Sequence, residues 1–147
     1  MTSSPRSVPL SAPLYGIGDG TYKTIGEEAG VRQLVDHFYT IMAANKPYQP
    51  LFNMHSSELH ITKDKLARFL MGWMGGERTY QSTYGAMNIP SAHAHLNVTQ
   101  ELMDNWLACM TEALHQQGHA EEFCTYLITQ LAIPAQRILQ VSQMSQP

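Results

Sequence analysis

The apolar residues of this chain recur with the spacing of one face of an α-helix, and no stretch alternates long enough to predict a β-strand. Four segments place apolar side chains three, four or seven positions apart, as a helix packed against a core requires. The core-facing residues are Leu34, Phe38, Ile41 and Met42; Leu66, Phe69, Leu70 and Trp73; Leu102, Trp106, Met110, Ala113 and Leu114; and Phe123, Leu127 and Leu131. The sequence therefore predicts an all-α fold.

Prolines and glycines mark the predicted ends of these helices. Two prolines within residues 45–50 break the first helix, because each removes a backbone donor and disfavours helix in the residue before it. Gly75-Gly76 stops the second helix, and Gly118 separates the third from the fourth. Pro134 is expected to interrupt or kink the last helix before its apolar pattern resumes.

The chain is expected to form one domain, residues 21–147, after a flexible extension over residues 1–20. The extension is rich in Ser, Pro and Gly and shows no helical period. Residues 45–60 and 77–98 join the helices with little period, and loops of that length in a small domain are usually functional. An aromatic-lined cofactor slot would account for them, and so would an ordinary irregular helical protein.

Composition excludes several classes of partner. The chain carries 9 Lys+Arg against 12 Asp+Glu without a basic cluster, so binding to nucleic acid or an anionic membrane is not expected. Its longest apolar run, around residues 69–74, is far shorter than the ~20 residues that span a bilayer. The opening residues lack a signal-peptide core, and we interpret Cys109 and Cys124 as buried thiols, which favours the cytoplasm.

Seven histidines raise the question of a metal or cofactor. His93 and His95 would face one side only in an extended backbone, and four suitably spaced zinc ligands are lacking. His115 and His119 stand four apart, but the segment around them is polar and broken by a glycine, which favours a solvated loop. Cys109 lies beside an apolar helix face, where a thiol is normally inert. A single histidine bound to haem, which supplies the other iron ligands, remains possible.

Four fragments, in order, resemble the truncated globins of group II, with the resemblance running from about Thr21 to Val141. They are "TYKTIGEEAGVRQLVDHFY", "LFNMH", "KLARFLMGWMGGERTY" and "HAHLNVTQELMDNWLACM", the last with a tryptophan thirteen residues after its first histidine. The resemblance implies an abridged globin in which two antiparallel helix pairs sandwich a haem. It also implies that loop replaces most of the proximal helix, which would explain the aperiodic residues 77–92.

The resemblance also assigns roles to individual residues. His93 matches the proximal ligand of the iron in haem b, whereas His95 matches no ligand position. Tyr39 and Trp106 match the distal residues that donate hydrogen bonds to the bound gas. The positions that match haem-contacting residues are Phe52, Thr62, Lys65, Leu66, Phe69, Leu70 and Leu96.

Two positions depart from the family pattern. Ala92 stands where an arginine often reaches a haem propionate, and Glu27 replaces the second glycine of the first glycine pair. Lys65 matches a basic position that can pair with a propionate, although an exposed helical lysine is equally often only solvated. How the propionates are held and how the first turn forms are therefore questions for the structure.

The implied function is binding of O₂, CO and NO by a haem protein with slow O₂ release. Each of two hydrogen bonds to bound O₂ would contribute roughly 1–3 kcal/mol and slow its release, since ~1.4 kcal/mol is a factor of ten in rate. Slow release favours NO dioxygenation or detoxification of peroxide and reactive nitrogen species. Such a reaction would need an external reductase as partner. The protein is expected to be a monomer or a weak homodimer. The alternatives are a non-enzymatic oxygen carrier, store or gas sensor, and a helical protein without haem.

Overall fold

The structure is a computed structural model that describes residues 18–54, 58–85 and 98–144. Within these ranges it is helical, without a strand. The elements are α1 (Gly20–Ile25), α2 (Glu27–Ala44), a 3₁₀ turn (Lys46–Tyr48), α3 (Gln49–Phe52), α4 (Leu59–Trp73), α5 (Tyr80–Tyr84), α6 (Gln100–Gln116) and α7 (Glu121–Met144). The four helices predicted from periodicity are α2, α4, α6 and α7, so the all-α prediction is confirmed. Residues 1–17 of the predicted extension lie outside the described residues.

Helix α2 is the central element of the core. It packs against both α4 and α6, and α6 packs in turn against α7, which gives two helix pairs joined through α2. Burial of apolar side chains drives this packing, at roughly 1.5–3 kcal/mol for each large side chain. The largest fully buried side chains include six residues of the predicted helix faces, Phe38, Phe123, Leu34, Met42, Leu70 and Met110.

The corner between α1 and α2 forms with only one glycine of the expected pair. Gly26 has φ 107° and Glu27 has φ 59°, so both take the left-handed conformation. Gly30 lies so close to the preceding helix that a Cβ there would stand 1.9 Å from the carbonyl oxygen of Ile25. The chain therefore turns sharply at residues 26–27, and Glu27 adopts a conformation that glycine adopts more easily.

The double glycine after α4 ends that helix, as predicted. Gly75 has φ 98°, and a Cβ on Gly76 would meet the ring of Tyr22 at 2.7 Å. The backbone N–H of Tyr22 donates to the carbonyl of Met74 at 3.1 Å. These glycines therefore let α1 cross closely over the end of α4.

Pro134 does not end α7, which continues to Met144. The C-terminal part of the helix is held by a second apolar cluster that includes Val98, Met103 and Leu139. Ser142 is fully buried, and its Oγ accepts a hydrogen bond from the backbone N–H of Val98 at 2.9 Å. Tertiary packing therefore offsets the backbone hydrogen bond that the proline cannot donate.

Short elements occupy parts of the stretches that the sequence left without periodicity. The 3₁₀ turn and α3 lie between α2 and α4, and the hydroxyl of Tyr48 donates to the carboxylate of Glu112 on α6. Cys109 and Cys124 are both buried free thiols, as expected. No helix in the described ranges is long and apolar enough to cross a membrane.

Candidate functional site

Tyr39 is a residue of α2 that lies in the core, with 3% of its surface exposed. Burial in apolar surroundings raises the pKa of its hydroxyl above the ordinary value, with a smaller contribution from Cys109. The Tyr39 hydroxyl therefore stays protonated over the physiological pH range. It is a permanent hydrogen-bond donor.

Trp106 reaches the same region from α6. Its side chain is partly buried, and its ring centroid lies 5.2 Å from that of Phe38 in an edge-to-face arrangement. Phe38 also contacts the Tyr39 ring, at 5.1 Å between centroids. The structure thus brings the two predicted distal residues to one fully buried phenylalanine. Sequence reasoning placed Phe38 in the core but did not detect that it contacts both residues.

The thiol of Cys109 adds a polar contact between the two helices that carry these residues. Its Sγ donates to the carbonyl oxygen of Phe38 at 3.3 Å. Burial raises the pKa of this thiol to about 12, with Glu112 adding to the shift. Cys109 is therefore an uncharged packing residue, which agrees with the expectation that it is inert.

Helix α4 carries apolar side chains among the predicted haem-contacting positions, and one polar side chain in its first turn. Leu66 and Phe69 are partly buried against the core, and Phe69 stacks on Trp73 at 6.4 Å between ring centroids. Thr62, one turn before Leu66, donates to the carbonyl of Glu58 at 3.4 Å. Phe52, the last residue of α3, is also partly buried against this core. These four predicted contact residues therefore all keep some surface outside the protein core.

Leu70 differs from the other predicted contact residues because it is 0% exposed. Its side chain is enclosed by the protein's own core, where it joins the largest buried cluster. The structure therefore gives Leu70 a packing role in the distal helix. A bound cofactor would gain little additional contact with this side chain.

Lys65 is exposed, and its ammonium group lies 5.2 Å from the centroid of the Tyr84 ring. This distance is suitable for a cation–π contact. The preceding residue, Asp64, forms an ion pair with Arg32 at 3.0 Å and one with Arg68 at 2.8 Å. It also accepts a hydrogen bond of 2.6 Å from the Tyr84 hydroxyl. Sequence reasoning missed this cluster, because only the Asp64–Arg68 spacing of four residues is a local signal.

The positions predicted for the proximal side, His93 and Leu96, lie outside the described residues, as do Ala92 and His95. The described chain leads to this segment through α5, which ends at Tyr84, and resumes at Val98.

His115 lies in the last turn of α6 and not in a loop as expected, His119 lies between α6 and α7, and both have ordinary partners. His115 Nε2 lies 3.0 Å from a carboxylate oxygen of Glu121, and His119 Nε2 lies 2.9 Å from the side-chain oxygen of Gln117. Within the residues that the structure describes, no group of three or more potential metal ligands is placed to hold a metal ion.

The described side chains fit a haem. A porphyrin has two flat apolar faces and a charged edge, so its pocket needs apolar side chains with few hydrogen-bonding groups. Phe52, Leu66, Phe69 and Trp106 supply partly buried apolar surface, and Tyr39 supplies one buried hydroxyl. These residues therefore have the apolar surface that a porphyrin face requires, and Tyr39 has a donor that a small polar ligand requires.

Comparison with known proteins identifies the fold and the family. The bacterial-like globin family matches residues 20–138. Group 2 truncated hemoglobin YjbI of Bacillus subtilis is 32% identical over 118 residues, which cover 80% of this chain and 86% of that protein.

Solved structures of truncated haemoglobins have the same fold as this chain. The cold-adapted truncated hemoglobin of Pseudoalteromonas haloplanktis TAC125 is 27% identical with a TM-score of 0.76, over 81% of this chain and 96% of that chain. The truncated oxygen-avid haemoglobin of Bacillus subtilis is 30% identical with a TM-score of 0.71, over 81% of this chain and 98% of that chain.

Fold and site together define a small haem-based binder of diatomic gases. The chain belongs to the bacterial-like globin family, within the group II truncated haemoglobins.

Proposed function

We propose that this protein binds haem b through His93, retains O₂ by hydrogen bonds from Tyr39 and Trp106, and uses it to oxidise NO to nitrate. The observation that carries the proposal is the buried, protonated hydroxyl of Tyr39, which shares its Phe38 contact with Trp106. Two aromatic side chains that each carry a hydrogen-bond donor contact the same phenylalanine, Tyr39 from α2 and Trp106 from α6. This arrangement favours a polarised diatomic ligand.

Haem supplies an iron atom that binds O₂, CO and NO when it is present. Bound O₂ carries partial negative charge, which the Tyr39 hydroxyl and the Trp106 indole N–H can stabilise from the protein side. In a pocket without water each hydrogen bond contributes roughly 1–3 kcal/mol, or about 5- to 150-fold in the rate of O₂ release. The similarity to the oxygen-avid truncated haemoglobin of Bacillus subtilis supports this proposal.

The proposed reaction needs a partner. NO and O₂ combine with one electron to give nitrate, so each turnover consumes an electron that an external reductase must return. We place this chemistry in the cytoplasm, because both cysteines are buried free thiols and an electron supply is available there. The same donors would assist reduction of peroxide and reactive nitrogen species, and we expect a monomer or weak homodimer.

Stopped-flow mixing of the oxygenated protein with NO tests the reaction. We expect nitrate to form much faster than O₂ dissociates, with a single kinetic phase. A rate no faster than O₂ dissociation would make the protein a non-enzymatic carrier, store or gas sensor.

Two conservative variants test the donors. Tyr39→Phe and Trp106→Phe each remove a donor and keep an aromatic ring, so each is expected to speed O₂ release by about 5- to 150-fold. Leu107→Val is a control on the neighbouring position of α6, because it changes apolar packing without removing a hydrogen-bond donor. Release unchanged in both aromatic variants contradicts the assigned roles of Tyr39 and Trp106.

The ligand assignment has its own matched test in the two neighbouring histidines. His93→Ala is expected to lose haem or the iron–histidine stretching band of the ferrous protein, whereas His95→Ala keeps both. A larger loss in His95→Ala overturns the assignment. A purified wild-type protein that takes up no haem and shows no Soret band would overturn the proposed function itself.

A further inference from the structure

The short stretch that carries Phe52 cannot hold its conformation alone. It consists of the 3₁₀ turn (Lys46–Tyr48) followed directly by α3 (Gln49–Phe52). Helical runs of three and four residues are not stable by themselves, because nucleation costs more than one turn of hydrogen bonds returns. Both parts pack against α2 and α6, so contacts with these two helices must fix this connecting segment, residues 46–52.

Apolar burial supplies one part of these contacts. Tyr48 and Leu51 are both buried and belong to the main core cluster. The hydrophobic effect has no preferred direction, so it sets the position of the segment along α6 less strictly than a hydrogen bond would. A directional contact with α6 is therefore important for the exact position.

The hydroxyl of Tyr48 makes such a contact. The Tyr48 ring is buried and Glu112 on α6 is exposed, so the side chain reaches from the core to the surface, where its hydroxyl donates to the Glu112 carboxylate. A hydrogen bond to a carboxylate is about twice as strong as a neutral one. The side-chain amide of Asn105 also donates to the carbonyl oxygen of Pro47, but at 3.5 Å. The Tyr48–Glu112 bond is the stronger of these two contacts.

The protonation state of Tyr48 suits this bond. Burial raises the pKa of its hydroxyl above the ordinary value, and the hydrogen bond to Glu112 adds to the shift. The hydroxyl therefore stays protonated over the physiological pH range. Since a carboxylate can only accept, the bond keeps its donor and its direction throughout that range.

Phe52 follows Tyr48 by about one helical turn. The backbone N–H of Asn53 donates to the carbonyl oxygen of Gln49 at 2.9 Å, which closes the turn between them. The Phe52 side chain is only partly buried against the core, which leaves surface for a cofactor. A shift of Tyr48 along α6 would therefore carry Phe52 with it.

We propose that Tyr48 and Glu112 are positioning residues that fix the connecting segment on α6 and so hold Phe52 in place for contact with the haem. The inference rests on the proposed function, through the expected haem contact of Phe52. Neither positioning residue need touch the haem. Helix α6 also carries Trp106, so the contact ties Phe52 to the helix of one proposed gas-binding donor.

Four variants test the hydrogen bond. Tyr48→Phe removes the hydroxyl and keeps the buried ring, and Glu112→Ala removes the acceptor. Glu112→Gln keeps a neutral acceptor of the same length, so it should restore part of the contact. Asp104→Asn is the matched control, because it also removes one negative charge from α6, but the Asp104 carboxylate accepts from Gln100 of the same helix at 2.9 Å.

The first readout needs no haem. Hydrogen exchange at the Asn53 amide of the purified full-length protein reports the opening of α3. We expect Tyr48→Phe and Glu112→Ala to speed this exchange about tenfold, as loss of one hydrogen bond to a charged group predicts. Glu112→Gln should speed it less, and Asp104→Asn should leave it unchanged. Exchange in α7 should be unchanged in all four, which separates release of the segment from loss of the fold.

The second readout connects the hydrogen bond with Phe52. Haem transfer to an excess of apomyoglobin is measured for Tyr48→Phe, Phe52→Ala and the double variant. We expect haem loss to be faster by about threefold in Tyr48→Phe and by about tenfold in Phe52→Ala. The double variant should lose haem no faster than Phe52→Ala, because Tyr48 acts through the Phe52 ring. Effects that multiply in the double variant would overturn the link to Phe52.

The third readout is the C–O stretching band of the CO complex. Release of the segment gives Phe52 more than one position, so Tyr48→Phe and Glu112→Ala should broaden or split the band, Glu112→Gln should do so less, and Asp104→Asn should not. Unchanged exchange at Asn53 in both Tyr48→Phe and Glu112→Ala would overturn the hold on the segment. Faster exchange with an unchanged band and unchanged haem loss would overturn its role at the haem. A wild-type protein that takes up no haem would refute the proposed function and the haem part of this inference, while the exchange result would still decide whether the hydrogen bond holds the segment.

Discussion

Leu66 and Leu70 lie one turn apart on α4, and these two leucine side chains have different environments. Leu70 is 0% exposed within the core, whereas Leu66 is only partly buried against it. Substitution by alanine is chemically identical at the two positions. The pair therefore separates packing of the protein from contact with a cofactor.

The expected losses follow from burial. Leu70→Ala leaves a cavity in a closed core, which costs about 3–5 kcal/mol of the free energy of unfolding of the apoprotein. Leu66→Ala removes a side chain with incomplete contacts and should cost about 1 kcal/mol. Haem would cover the remaining surface of Leu66, so we expect Leu66→Ala to speed haem loss about 5- to 30-fold, a further 1–2 kcal/mol.

Two measurements decide the comparison. Urea unfolding of the apoproteins, followed by circular dichroism, gives the stability of each variant, and the midpoint for Leu70→Ala should fall by about 1–2 M more than for Leu66→Ala. Transfer of haem to excess apomyoglobin, under conditions where both proteins are folded, gives the rate of haem loss. Equal losses of apoprotein stability would refute the packing argument. Faster haem loss from Leu70→Ala than from Leu66→Ala would refute the placement of the pocket wall.

Two further predictions concern packing and pH. Gly30→Ala would place its Cβ 1.9 Å from the Ile25 carbonyl oxygen and should lower the free energy of unfolding by about 2 kcal/mol. Gly72→Ala, also within a helix, would meet Arg78 alone, at 3.3 Å from its Cγ and 3.5 Å from its Cα, and should be neutral or stabilising. Equal stability of the two variants in urea would contradict the close α1–α2 approach. The pKa of Asp64 falls from 3.8 to about 2 on folding, so its carboxylate contributes about 2 kcal/mol to the free energy of unfolding above pH 4, which is lost as the pH falls toward 2. The stability difference between the wild-type protein and Asp64→Asn should shrink over that range. A difference that is constant from pH 6 to pH 2.5 would show that the charge of Asp64 does not contribute to stability.

The long helices could be predicted from sequence because their apolar faces repeat over three turns or more. α3 and α5 could not, since four or five residues are too few to show a period. The left-handed backbone conformation of Glu27 could not be predicted either, because only the neighbouring glycine indicates a turn there. At these places tertiary packing determines the backbone.

For the site, the resemblance supplied residue positions but not their relations. Tyr39 and Trp106 could be named from matching fragments, yet their common contact with Phe38 depends on how α2 and α6 cross. Asp64 pairs with Arg32, which precedes it by 32 positions, and with Tyr84, which follows it by 20 positions. At such separations the spacing in the sequence does not predict a contact.

The position of α2 between α4 and α6 makes the described helices unequal in stiffness. α2 cannot leave either neighbour without exposing buried apolar side chains, so Tyr39 belongs to a helix that opens rarely. α5 has no buried residue and opens at lower cost. Hydrogen exchange should therefore be much slower in α2 than in α5, although the two helices belong to one small domain.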